Sequence, residues 1–143
     1  MSIDETLERA RVELLRLSPA DAHAAAAEPD TFIVDTRPGW QRRAAGEVPG
    51  AIVVERNDLE WRLDPHSASR IPEALSTGIR WIVICDGGYS SSLAADSLRR
   101  LGLPRSTDVI GGFHAWRASG LPVRHPRVPT RPRRPGEGIP EGS

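Results

Sequence analysis

The only cysteine in the 143-residue chain, Cys85, closes the apolar run WIVIC and is followed by DGGYSS. A structural cysteine normally sits among apolar neighbours within an element. This one stands where a strand should end and a helix begin. Gly87 and Gly88 let the backbone curl until successive N–H groups face inward, which forms a nest for an anion. Ser90 and Ser91 add hydroxyl donors or cap the following helix. Helix N-termini and converging N–H donors favour a thiolate, so Cys85 reads as a nucleophile or as the carrier of a charged sulfur species. The plainer alternative, a small buried hydrophobe, leaves the Gly-Gly loop unexplained.

Other chemistries find less support. The serines of GYSSS have no partnering His or Asp motif, which argues against a serine hydrolase, and no Cys–His protease pair is legible. A phosphate-binding Cys-x5-Arg loop needs an arginine to grip phosphate oxygens bidentately. The sixth residue after Cys85 is Ser91, the first arginine beyond it is Arg99, and the loop is one residue short. His114, in GGFHAW, reads as a helix-start residue near the same edge. A single cysteine closes no internal disulfide and builds no multi-cysteine metal site. Trp40, Trp61, Trp81 and Trp116 read as wedges between helices and sheet, and nothing resembles a cofactor box.

Several elements must position this loop. Residues 4–16 place Leu7, Ala10, Leu14 and Leu15 on one helical stripe. Ser18 and Pro19 suit the N-cap and first position of a second helix. TFIVDTR (31–37) reads as a buried strand, and a Pro-Gly turn feeds a second at Ala51–Val54. NDLEWRLDP predicts a short helix capped by Asn57, and PEALS a helical fragment. WIVIC (81–85) is continuously apolar, the mark of a strand covered on both faces. Residues 90–102 predict a helix with serine capping and Gly102 near C′. TDVIGG gives a fourth strand and FHAWRASG a last helix. Beyond Arg124, Pro, Arg and Gly leave little to bury, which predicts disorder.

Alternating strands and helices with continuous apolar runs point to a parallel α/β sheet. Ligands of such sheets bind beyond the carboxyl ends of the strands. Asp35-Thr36-Arg37, Glu55-Arg56, Cys85 with its loop, and Gly111-Gly112 all fall on that edge. The chain carries equal numbers of basic and acidic residues, 19 each, so no net field draws it to nucleic acid or anionic lipid. No apolar run approaches the length of a membrane span. The N-terminus lacks the basic-then-apolar layout of a signal peptide, and with one free cysteine the expected compartment is the reducing cytoplasm.

Four motifs in order give this chain a clear resemblance: VDTRP, GEVPGA with Glu47 where His is usual, CDGGYSS, and GGFHAWRASGLPV. Together, residues 18–123 resemble a rhodanese-like (sulfurtransferase) domain, with residues 1–17 an N-terminal helix and 124–143 a Pro/Arg-rich disordered tail. The resemblance implies a three-layer α/β fold, a short parallel sheet flanked by helices. It implies that Cys85 takes sulfane sulfur from a donor, holds it as a persulfide and passes it on. The loop residues Asp86, Gly87, Gly88, Tyr89, Ser90 and Ser91 would bind the persulfide through backbone N–H groups. Asp35 and Arg37 would orient the loop by hydrogen bonds or knit loops as a salt bridge, and Arg56 is the candidate cation for an anionic donor. No cofactor and no metal are implied. The resemblance leaves the donor open among thiosulfate, 3-mercaptopyruvate and a persulfide, with cyanide, a thiol or a protein as the acceptor. The rival reading is a non-catalytic rhodanese-like binding or regulatory module, although such modules commonly lack the cysteine. Two departures bear on the donor. Asp86 and Glu47 subtract positive charge from a loop that carries none of its own, which disfavours a dianion.

Overall fold

The structure is a computed structural model and describes residues 1–126. Its parallel sheet runs in the order β2 (Ile52–Val53), β1 (Thr31–Asp35), β3 (Arg80–Ile84), β4 (Thr107–Asp108). Side chains alternate across a strand, and β3 is apolar on both faces for that reason: Trp81 and Val83 enter one core, Ile82 and Ile84 the other. The first core is closed by α4 (Leu59–Leu63) and α5 (Ser90–Arg100), the second by α2 (Pro19–Ala25) and α6 (Gly112–Ala118). The result is the expected α/β architecture, a short parallel sheet flanked by helices.

β1 and β3 pair in register from Thr31↔Arg80 to Asp35↔Ile84, with β2 on the far side of β1. Chain order therefore reverses between β1 and β3, and the carboxyl ends there form the crevice of a topological switch point. Cys85 emerges at that crevice. Thr36 closes it from β1 by donating its N–H to the Ile84 carbonyl at 3.1 Å.

Several local expectations are corrected. The first helix, α1 (Ile3–Arg11), stops well before residue 16. Residues 12–16 are needed to turn the chain toward the sheet edge, where Leu17 bridges Val109 in parallel. Leu15, expected on the buried stripe, is consequently 83% exposed, whereas Ala10 and Leu14 are buried. Asn57 lies within a 3-10 turn (Arg56–Asp58) and caps nothing. PEALS forms turns, with the Ala74 N–H bonded to the Ile71 carbonyl and Leu75 exposed. Trp81 and Trp116 are buried wedges, but Trp40 and Trp61 are exposed. The Ser18 cap is present, its hydroxyl accepting from the Asp21 N–H. Beyond α6, Arg124 and Glu47 form an isolated two-way antiparallel bridge outside the sheet. The rest of the expected disordered tail, residues 127–143, lies outside the described residues.

Candidate active site

Cys85 follows β3 directly, is buried and is free of disulfide pairing. Its Sγ accepts two backbone hydrogen bonds, from the Gly88 N–H at 3.2 Å and from the Ser91 N–H at 3.3 Å. The second lies in the first turn of α5, so the thiol occupies the place where a serine cap was expected. Tyr89 is the formal N-cap and contributes no side-chain bond. The serines turn inward: the Ser91 and Ser92 hydroxyls each donate to Asp108 Oδ2 at 2.8 Å. Among the described residues, the N–H groups of Asp86, Gly87, Tyr89 and Ser90 have no protein acceptor.

The loop is shaped by close contact with the Gly-Gly pair that opens α6. Gly88 has φ +84°, and a Cβ there would lie 2.6 Å from the Gly111 nitrogen. The Phe113 N–H donates to the Cys85 carbonyl at 2.8 Å and the His114 N–H to the Asp86 carbonyl at 3.2 Å. The first turn of α6 thus holds the loop by its carbonyl oxygens. The Asp86 carboxylate turns toward the same helix, 3.1 Å from His114 Nε2, with both side chains well exposed.

The remaining expected residues separate. Asp35 and Arg37 form a buried pair, Arg37 Nη2 to Asp35 Oδ2 at 2.7 Å, each side chain 1% exposed. Arg37 also donates to the Gly46 carbonyl and lies over the Phe113 ring at 4.0 Å. This pair knits loops together and makes no hydrogen bond to the thiol loop. It supports the site only through Phe113. Arg56 sits on the same sheet edge, lining a shallow cleft of about 190 Å³ with Thr36, Pro38, Glu55 and Asn57. Its guanidinium is engaged by Glu60 at 2.8 Å. Burial raises the Glu60 carboxyl, but donors from Ser97, its own backbone and Arg56 outweigh that, and its pKa falls below the ordinary value.

Glu47 does not face the sulfur. It is buried between Arg42 at 2.7 Å and Arg124 at 3.0 Å. Burial raises its carboxyl, but hydrogen bonds from Arg124 and then Arg42 outweigh that, and its pKa falls below the ordinary value. Glu47 therefore serves to pin the chain at Arg124.

Two arginines and one aspartate were not foreseen. The Gly88 carbonyl accepts from Arg11 Nη2 at 2.8 Å and from Arg16 Nη2 at 3.1 Å, and Arg16 also pairs with Asp108 at 2.9 Å. No local pattern signals contacts between residues separated by 72 to 92 positions. A cavity of about 490 Å³, lined by Arg80, Arg99 and Arg105 among others, lies at the amino ends of β3 and β4, the opposite end of the sheet from Cys85.

Residues 18–119 match the Rhodanese-like domain family. The chain is 33% identical over 107 residues to the thiosulfate sulfurtransferase GlpE of Pseudomonas entomophila, covering 75% of this chain and 88% of that protein. A Rhodopseudomonas palustris protein of unknown function, described as a possible tyrosine phosphatase, superposes with a TM-score of 0.78 at 32% identity, covering 87% of this chain and 95% of that one. The polysulfide-sulfur transferase homodimer of Wolinella succinogenes superposes with a TM-score of 0.65 at 25% identity, over 83% and 84% of the two chains.

Proposed function

The chain belongs to the rhodanese-like domain family, and from that premise we propose that it is a sulfurtransferase whose carrier is Cys85. The observation that bears most weight is the pair of backbone donors, Gly88 and Ser91, converging on Sγ in a buried loop. Such fixed dipoles stabilise negative charge on sulfur as an oxyanion hole does on oxygen. The unpaired loop amides supply further donors for an outer sulfur.

The reaction runs in two half-steps. The Cys85 thiolate attacks the sulfane sulfur of a donor such as thiosulfate. A new S–S bond forms, the donor's S–S bond breaks, and its electron pair leaves with sulfite. A nucleophilic acceptor, cyanide or a thiol, then attacks the outer sulfur, takes it, and returns the electron pair to Cys85. Cys85 is the catalytic residue, and residues 86–91 bind the persulfide. Arg56 is retained as a candidate contact for an anionic donor, since it lines the cleft beside the crevice. A reducing cytoplasm is the proposed setting, where such a thiol persists. A phosphatase reading gains nothing from the site. Ser91 stands where the phosphate-gripping arginine would be, and its hydroxyl is committed to Asp108.

Incubation with thiosulfate, followed by intact-protein mass spectrometry, should show the mass of one added sulfur, discharged by cyanide. Cys85→Ser should show neither the adduct nor transfer while melting like the wild type. Wild-type turnover in that variant would refute the proposal.

A further inference from the structure

Gly88 is gripped at both ends. Its N–H donates to Cys85 Sγ at 3.2 Å, and its carbonyl accepts from Arg11 Nη2 at 2.8 Å and Arg16 Nη2 at 3.1 Å. The same arginines reach the second sulfur donor. Arg16 clasps Asp108 through Nε at 2.9 Å and Nη2 at 3.2 Å, and Asp108 Oδ2 accepts from the Ser91 and Ser92 hydroxyls at 2.8 Å each. Arg11 Nε donates to Ser92 Oγ at 2.9 Å. Both arginines precede residue 18, where the match to the family begins.

We infer that Arg11 and Arg16 are positioning residues for the thiol loop and the source of the positive charge that the loop lacks. The inference rests on the functional reading of Cys85 given above. Arg16 is balanced by Asp108, whereas Arg11 has no carboxylate partner among the described residues. Of the charged groups on neighbouring elements, Asp35 is paired with Arg37, and Asp86 is an acidic group that lies against the His114 ring. Tyr89, on the outer side, lies beneath Arg11, its ring centroid 5.9 Å from the guanidinium carbon. The net cation nearest the loop is therefore the one that the N-terminal segment brings.

Alkylation of Cys85, the sole thiol, reads the loop without any sulfur donor. Rates are measured with neutral iodoacetamide and anionic iodoacetate at fixed pH and low salt, where charge effects are least screened. In Arg11→Met/Arg16→Met, the iodoacetate rate should fall about tenfold and the iodoacetamide rate only about two- to threefold, because the anion loses the attraction as well as the ordered loop. Arg11→Lys/Arg16→Lys keeps the charge and loses the forked geometry, and should restore the ratio of the two rates. Circular dichroism establishes that each variant is folded. If the double variant does not fold, Arg11→Met, altered on a half-exposed position at the end of α1, should still lower the ratio. An unchanged ratio in a folded Met variant overturns the inference. A wild type that alkylates as expected but transfers no sulfur would refute the proposed function and leave this result standing.

Discussion

Gly112→Ala is the sharpest test of how the thiol loop is held. Gly112 has φ +61°, and a Cβ there would lie 2.5 Å from the Cys85 carbonyl oxygen, 2.6 Å from the Gly88 nitrogen and 2.7 Å from the Asp86 carbonyl oxygen. All three are backbone atoms of the loop, so no side chain can rotate aside. Left-handed backbone costs an alanine about 1–2 kcal/mol, and overpacking a tight site adds about 1–3 kcal/mol. The expected loss is about 2–5 kcal/mol, a fall in Tm of roughly 6–20 °C for a domain of this size. Relief of the clash must move Gly88, whose N–H bonds the sulfur, and a misplacement near 1 Å can cost about a hundredfold in rate. Gly102→Ala is the matched control, since Gly102 has φ +98° with nothing within 4 Å of the added carbon. It should lose only the conformational part and keep its transfer kinetics. Melting and thiosulfate:cyanide sulfurtransferase assays on both variants decide the matter. Equal kinetics for the two would refute the argument that α6 shapes the nest.

Three further outcomes are expected. Asp86→Asn should raise kcat/KM for thiosulfate several-fold and for singly charged 3-mercaptopyruvate less, as read in parallel steady-state assays; equal changes would assign donor choice elsewhere, with the cleft around Arg56 the next site to test. Glu47→Gln should cost about 1–3 kcal/mol at neutral pH, because two arginines lose their buried carboxylate. The folded carboxyl of Glu47 titrates below its unfolded value, so its contribution is full above pH ~4.5 and is lost as pH falls through the lowered value; urea melts at pH 7 and pH 3.5 should therefore differ less in the variant than in the wild type. Removing residues 127–143 should leave Tm and transfer kinetics nearly unchanged, since that stretch has little apolar surface to bury, and a fall of more than a few degrees would show that it docks.

The sheet and the position of Cys85 were legible because their signals are local. WIVIC is apolar at every position, the pattern of a strand covered on both faces. Gly87-Gly88 and Gly111-Gly112 were likewise visible as two glycine pairs at strand ends, although their mutual contact was not. The failures share one cause, the override of local preference by distant partners. Ser91 has the composition of a cap, but Asp108 offers its hydroxyl a buried carboxylate and the sulfur takes over its N–H. Leu15 fits the helical stripe, but pairing Leu17 with Val109 ends the helix early. Glu47 read as a loss of positive charge near the sulfur, and only the fold shows that Arg42 and Arg124 enclose it.

The carbonyl oxygens of the loop explain why its amides are free for sulfur. The Cys85 carbonyl is bonded by the Phe113 N–H, the Asp86 carbonyl by the His114 N–H, and the Gly88 carbonyl by Arg11 and Arg16. In a planar trans peptide, the N–H points opposite to the C=O of the same unit. Fixing those three carbonyls outward therefore turns the N–H groups of Asp86, Gly87 and Tyr89 the other way, toward the space that the loop encloses. These are among the amides left without a protein acceptor. The nest is thus built from outside, by α6 on one flank and by the N-terminal segment on the other. The two grips act on different carbonyls, so loosening one should leave part of the nest in place. Gly112→Ala disturbs the first flank through sterics, whereas the paired arginine substitutions release the second and remove its charge. A change in reagent preference that follows the arginines but not Gly112 would separate the charge of the site from its shape.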